Sequence, residues 1–482
     1  MMKRVSLLIT VPLNPRPVAP MEGLIGGPRY TRLRAEADEF RRGLGGRCIW
    51  NINSTATGGG VAEMLQALVG YVCDLDVPVR WTVIGGDPDF FAITKRLHNR
   101  IHGTAGDGGP LGAAEAEHYA GVLAANAGEL LGEIRPGDLV LLHDPQTAGL
   151  AAPLVAAGAT VVWRCHIGVD WEDDTTRAAW EFLRPYLTAA HGHVFSRSKY
   201  VPSWVPAGAA SIIPPSIDPF APKNQELDRD TVRAILATIG VLDGGTPTKP
   251  GRYVRGDGTA GEVTGTATVV GERLPGPDDP VVVQVSRWDR LKDMAGVLRG
   301  FADHVAPAGP GYLMLVGPEV AEVSDDPEGA AVYAECVAQW RELPAAVRAR
   351  ALLVTLPLDD VDENAAMVNA VQRHAAVIAQ KSLAEGFGLT VAEGMWKRRP
   401  LVASAVGGIQ DQVVDGTGIL LADPGDLGAF GAAVRGLLDD PDRADRMGRA
   451  AHSHVHETFL GDRHLLRYAE LFGKLLSRTG SR

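Results

Sequence analysis

Four residues have the types and spacing to do chemistry: Arg287, Lys292, Glu385 and Glu393. Arg287 and Lys292 lie in SRWDRLKD, just past the apolar run Val281 to Ser286, which reads as a central strand. Two cations at a strand end suit a diphosphate leaving group, the arginine with forked hydrogen bonds and the lysine as a point charge. A solvated surface pair is the alternative reading. Glu385 and Glu393 are eight residues apart. A retaining glycosidase holds its carboxyls about 5 Å apart, whereas eight helical residues rise about 12 Å. These two glutamates therefore read as clamps on different parts of one long ligand, the sugar and the ribose of a sugar nucleotide.

The elements that must position them follow a strand, loop, helix pattern. Ala375 to Ala379 reads as a strand, Glu385 to Thr390 as a glycine-flanked loop and Val391 to Trp396 as a helix. The first turn of such a helix offers backbone N–H groups and the positive dipole end to an anion. Gly386 and Gly388 let the backbone approach it closely. Near the start, Cys48 to Ile52 is apolar, Asn53 to Gly60 polar and glycine-rich, and Val61, Met64, Leu65, Leu68 and Val72 recur at helical spacing. The triple glycine Gly58 to Gly60 thus opens a helix from the carboxyl end of a strand, where doubly wound sheets bind ligands. Two further strands end in His143-Asp144-Pro145-Gln146 and Arg164-Cys165-His166. A lone histidine is more often structural than catalytic, and His143 is read that way.

Strands at Val79 to Gly85, Val194 to Ser196, Tyr312 to Gly317, Leu352 to Leu356, Leu401 to Ser404 and Gly418 to Leu421 complete two α/β repeats. Ile212 to Pro219, stiffened by prolines, reads as a hinge with Asp218 capping a turn. Gly240 to Asp279 reads as a loop-rich insertion, either flexible or a small hairpin around Thr264 to Val270. Met447 to Leu475 reads as helix. Asp360-Val361-Asp362 has D-x-D spacing, but so short a triplet is common by chance.

The segment Ala379 to Gly408 is similar to the E-x7-E region of retaining GT-B glycosyltransferases. Together with WNINSTATGGGVAEML, HDPQ, WRCHI, PPSIDP and SRWDRLKD, it makes the chain resemble the trehalose-forming glycosyltransferring synthases and retaining trehalose phosphorylases of glycosyltransferase family four. The resemblance implies a GT-B architecture of two Rossmann-like domains facing each other across a cleft. The expected boundaries are 1–215 for the acceptor domain, 216–455 for the nucleotide-sugar domain with insertion 240–279, and 456–482 for a helix crossing back. It also implies a glucosyl donor carried on a nucleoside diphosphate, such as UDP-glucose, and glucose as acceptor, giving trehalose with retention. By this resemblance Arg287 and Lys292 stabilise the leaving group, Glu385 orients the sugar and His166 hydrogen-bonds it. Gly59, Gly60, Gly386, Phe387, Gly388, Leu389, Thr390 and Glu393 bind the donor, and Asn53, Asp144 and Gln146 the acceptor. Neither a metal nor a separate cofactor is expected, and a homodimer is implied. The motif usually continues His-Ile-Asp, whereas this chain has Gly168, with Asp170 two residues on. The rival readings are a phosphorylase, a glycosyltransferase or cyclitol-coupling enzyme of specialised metabolism, and a non-catalytic sugar-nucleotide sensor.

Composition sets the outer limits. The chain has 482 residues, enough for two or three domains. Its net charge of −11, from 47 basic and 58 acidic residues, argues against non-specific binding to nucleic acid or anionic membrane. Cys48, Cys73, Cys165 and Cys336 are isolated, without zinc spacing, as expected of buried thiols in a reducing cytosol. The opening run Met1 to Pro17 is broken by Pro12 and reads as a strand rather than a signal peptide. The expectation is a cytoplasmic protein.

Overall fold

The computed structural model describes residues 6–57, 60–206, 208–243, 249–320 and 327–479. The chain divides into two units, Met1–Ser216 with Gly461–Arg482, and Ile217–Leu460.

The first unit is built on β1 (Ile9–Thr10), β2 (Ile49–Asn53), β3 (Val79–Val83), β4 (Leu139–His143), β5 (Thr160–Cys165), β6 (Gly192–Phe195) and β7 (Ala210–Ile212). Their order is β1-β3-β2-β4-β5-β6-β7, with β1 antiparallel and the rest parallel. β2, β4 and β5 are buried along their whole length, so they read as near-continuous apolar runs rather than alternating ones. One core gathers Leu142, Trp163, Trp180 and Phe195 under the helices. The strand order reverses between β2 and β4, so Asn53 and His143 end at the switch point where open α/β sheets take ligands.

The second unit holds β8 (Arg252–Val254), β9 (Ala260–Glu262), β10 (Thr268–Val270), β11 (Val281–Val285), β12 (Tyr312–Pro318), β13 (Ala351–Leu356), β14 (Val377–Gln380), β15 (Leu401–Ser404) and β16 (Ile419–Leu421). The main sheet runs β10-β13-β12-β11-β14-β15-β16, and only β10 is antiparallel. From β13 to β16 this is the 3-2-1-4-5-6 order of dinucleotide folds, with its reversal between β11 and β14.

Two expectations are corrected, and the Asp360 triplet finds a local role. The hairpin in the insertion is β8–β9, not Thr264 to Val270, whose strand β10 instead edges the main sheet. The Asp360 triplet is a helix N-terminus: Asp360 accepts from the N–H groups of Asp362 and Glu363 and pairs with Arg255 on the hairpin. The helix expected from Met447 to Leu475 is two helices, Pro441–Thr458 and Gly461–Thr479. They part at Phe459-Leu460, where the Ile217 N–H bonds to the Phe459 carbonyl and Leu460 bridges Ile217. A tertiary strand pairing overrides helical periodicity there.

Candidate active site

In the second unit, β11 runs out into Ser286 and a turn that Asp289 shapes. Its Oδ1 accepts the Leu291 N–H at 2.8 Å and its Oδ2 accepts from Arg287 at 3.0 Å. The Arg287 side chain is 66% exposed, a guanidinium held at a surface. Lys292 is drawn inward: its Nζ lies 2.6 Å from Glu385 Oε1, and the two side chains are 18% and 8% exposed. The same carboxylate oxygen accepts from Gln380 Nε2 at 3.2 Å and Ser382 Oγ at 3.0 Å. Buried Gln284, on β11, fastens the two loops to each other. Its Nε2 donates to the Lys292 carbonyl at 2.7 Å and its Oε1 accepts the Lys381 N–H at 3.0 Å. Lys381, wholly buried, pairs with Asp293, whose backbone is left-handed at φ 49°. Lys292 is thus fixed at its backbone and at its ammonium.

The loop beyond Glu385 leads to Gly388 at φ 82°, the N-cap of the helix Leu389–Trp396, which begins two residues earlier than the periodicity predicts. A left-handed cap suits glycine. Gln412 Nε2 donates to the Phe387 and Gly388 carbonyls, and the Gly408 N–H to Gly386. Phe387 packs edge-on against Phe459. Thr390 hydroxyl donates to Gln380 Oε1 at 2.9 Å, tying the helix start to the strand that leads to Glu385. Glu393 is buried one turn on. Its Oε1 is 3.7 Å from Lys223 Nζ, while its Oε2 has no hydrogen-bond partner. A buried carboxylate oxygen left unpaired is costly, and a ligand hydroxyl would satisfy it. Burial pushes the neighbouring Lys397 ammonium down to about 7. Glu385 and Glu393 therefore have different neighbours, in keeping with separate parts on one ligand.

In the first unit the chemistry gathers past β4 and β5. Asp144 holds an unusual backbone, φ 63° and ψ 178°, of the kind that stores strain at functional sites. Its Oδ1 accepts the His166 N–H at 2.8 Å, and burial raises its carboxyl to about 7 against the pull of that bond and of Arg164. His166 Nε2 lies 3.1 Å from His143 Nδ1, and His143 Nε2 lies 3.2 Å from Asn51 Oδ1. The Asn51 oxygen accepts, so His143 carries its proton on Nε2 and receives one from His166 Nε2. That leaves the Nδ1 lone pair of His166 facing Arg164 Nε at a loose 3.5 Å. Burial, then Arg164, holds both imidazoles down, His143 to about 3 and His166 well below its ordinary range. Both are neutral near pH 7.

The remaining expected site residues are distributed differently. Gln146 sits on the short 3-10 helix Pro145–Leu150 beside Asp144. Asn53 is turned inward: its oxygen accepts from Trp81 Nε1 at 2.8 Å and its amide donates to the Thr55 carbonyl at 2.6 Å. Its side chain anchors the loop rather than reaching for an acceptor as expected. Gly60 opens the helix Gly60–Asp74, and Gly59 lies outside the described residues. Sequence reasoning passed over Gln380, Gln284 and Asn51, all buried. Polar residues inside apolar strands were the available signal, since a buried polar group must find a partner. Among the described residues no cluster of three His, Cys, Asp or Glu could hold a metal ion. No described helix is long and apolar enough to cross a membrane.

Residues 51–202 match the family described as trehalose synthase, N-terminal domain, and residues 360–454 match glycosyl transferases group 1. The chain is 33% identical over 446 residues to a trehalose synthase of Rubrobacter xylanophilus, covering 92% of this chain and 94% of that protein. It is 31% identical over 456 residues to one from Pyrococcus horikoshii, covering 94% and 95%. Among solved structures, a trehalose 6-phosphate synthase of Burkholderia multivorans is 16% identical with a TM-score of 0.64, over 90% of this chain and 99% of that one. Two Rossmann-like sheets, each with its polar residues at the switch point, define a GT-B glycosyltransferase. Within that class the chain belongs to the trehalose synthase family.

Proposed function

We propose that the chain moves a glucosyl group from a nucleoside diphosphate glucose to glucose, forming trehalose with retention and without a metal or cofactor. The observation that carries this reading is the Lys292–Glu385 pair, 2.6 Å apart at the switch point of the second unit, with Arg287 at the mouth of the same turn. When the bond between the anomeric carbon and the phosphate oxygen breaks, its electron pair stays on the diphosphate. Arg287, Lys292 and the N-terminus of the helix after Gly388 meet that charge, and a preorganised donor of this kind is worth about a hundredfold in rate. Glu385, already aligned by Lys292, Gln380 and Ser382, accepts from hydroxyls of the sugar. Glu393 Oε2 takes a ribose hydroxyl. An acceptor hydroxyl attacks the anomeric carbon on the face the diphosphate leaves, and its proton passes to the departing phosphate oxygen. Neutral His166 is held in place by Asp144 and does not act as a proton donor, since its one N–H is engaged by His143 and its Nδ1 faces Arg164. Atoms balance: donor and acceptor become disaccharide and nucleoside diphosphate.

Product analysis with UDP-, ADP- and GDP-glucose and free glucose, in the presence of a chelator, tests this. A non-reducing disaccharide with equimolar nucleotide release is expected. Glucose 1-phosphate released from trehalose by inorganic phosphate, with no use of nucleotide sugar, would replace the reading with a phosphorylase. Tight nucleotide-sugar binding with no turnover on any acceptor would replace it with a sensor.

A further inference from the structure

Just beyond His166 the first unit has a cavity of about 170 Å³, and no residue given a catalytic or donor-binding part above lines it. Gly168, Asp170, Trp171, Glu172, Lys199 and Tyr200 form its polar and aromatic wall. Trp171 is 54% exposed, an unusual position for an indole. Its ring packs close to Gly103, where a Cβ would come within 3.1 Å of Cζ2, so a glycine makes room for it. Asp170 is held by Arg197 at 2.5 Å, and Glu172 accepts from Ser203 at 3.4 Å with Arg177 at 3.7 Å. These carboxylates are therefore oriented. Gly168 is the residue that departs from His-Ile-Asp, and the cavity explains why: a Cβ there would sit 2.3 Å from Tyr200 Cγ. The Tyr200 ring occupies the space an aspartate would need, and the nearest carboxylate down the chain is Asp170.

An exposed aromatic face beside oriented carboxylates matches a pyranose, which presents apolar C–H groups on one face and hydroxyls at its rim. The cavity has room for one such ring. Gly168 is two residues from His166, a span of at most about 7 Å of chain, which places the cavity on the acceptor side of the first unit. We infer that Trp171, Asp170 and Glu172 form the seat of the acceptor, a neutral monosaccharide stacked on the indole and hydrogen-bonded by the two carboxylates. The inference rests on the proposed transfer for its acceptor role.

Kinetics of Trp171→Ala and Glu172→Gln, both changes at exposed or half-exposed positions, test it. The glucose KM is expected to rise roughly tenfold in Trp171→Ala, about one stacking contact. The KM for nucleotide sugar is expected to move less than the glucose KM, because the seat meets the acceptor and not the donor. Saturation-transfer NMR with free glucose and no nucleotide gives an independent reading, with the glucose signal expected from the parent protein and lost in Trp171→Ala. An unchanged glucose KM in both variants, or an unchanged NMR signal, overturns the seat. If the parent makes no disaccharide at all, the transfer reading falls, while a glucose signal lost in Trp171→Ala still supports the cavity as a monosaccharide site.

Discussion

Lys292 and Arg287 separate catalysis from stability. Arg287 is mostly exposed and touches only its own turn through Asp289, so Arg287→Ala should change unfolding free energy by no more than about 0.5 kcal/mol. If it meets charge on the leaving diphosphate, the same change should lower kcat about a hundredfold. Lys292→Ala has both effects. It removes the cation from Glu385, leaving a buried carboxylate to the neutral donors of Gln380 and Ser382, and a lost charged partner costs about 1–3 kcal/mol. Urea unfolding run beside steady-state kinetics distinguishes them. Should Arg287→Ala keep full turnover, the arginine is a surface residue and the leaving group is met by Lys292 and the helix alone.

The loop from Glu385 to Thr390 depends on one backbone conformation. Gly388 at φ 82° turns the chain into the helix Leu389–Trp396, and a Cβ there would stand 3.2 Å from Ile409. Gly388→Ala should cost about 1–2 kcal/mol for the left-handed residue, and it should lower kcat because the helix start and Glu385 share Gln380. Normal turnover with the full stability loss would show that the turn serves folding only. This element was legible in advance, since two glycines, a preceding buried strand and a following apolar helix all point to one turn. So were both parallel sheets, whose strands are apolar runs bounded by polar residues. What escaped was set by contacts distant in sequence. The β8–β9 hairpin faces Asp360 through Arg255, the break at Phe459-Leu460 depends on Ile217, and Asn53 is spent on Trp81. No local pattern encodes those partners. Candidates could be singled out residue by residue where charges follow strand ends, as at Lys292 and Glu385. It was missed where a neutral polar side chain inside a strand does the fastening, as Gln284, Gln380 and Asn51 do.

Over the whole molecule, buried imidazoles set how stability varies with pH. Burial holds His143 and His464 down to about 3 and His374 to about 4, pushes His166 far down, and lowers His191, His193, His452 and His454 as well. In each case the unfolded chain takes up a proton below about 6.5 that the folded chain refuses until lower pH. The unfolded state then binds more protons, so stability falls as pH drops from about 6.5 toward 4. Lys397, lowered to about 7, acts in the same sense higher up, favouring the fold as pH rises from about 7 to 10. Asp144 opposes them. Its carboxyl, raised to about 7, keeps a proton in the fold between about 4 and 7 and offsets one histidine over that window. Each proton of imbalance contributes about 1.4 kcal/mol per pH unit. Urea midpoints measured from pH 8 to 4.5 should therefore fall with a steepening slope below 6.5, well above the range where ordinary carboxylates titrate. His464→Gln, which keeps a polar group near the Pro214 carbonyl that His464 now contacts, should make that slope shallower by about one proton. Asp144→Asn should make it steeper by the same amount. If the two variants shift the slope in the same direction, or neither shifts it, the acid response does not come from the first unit's buried groups but from the second unit's His374, His452 and His454.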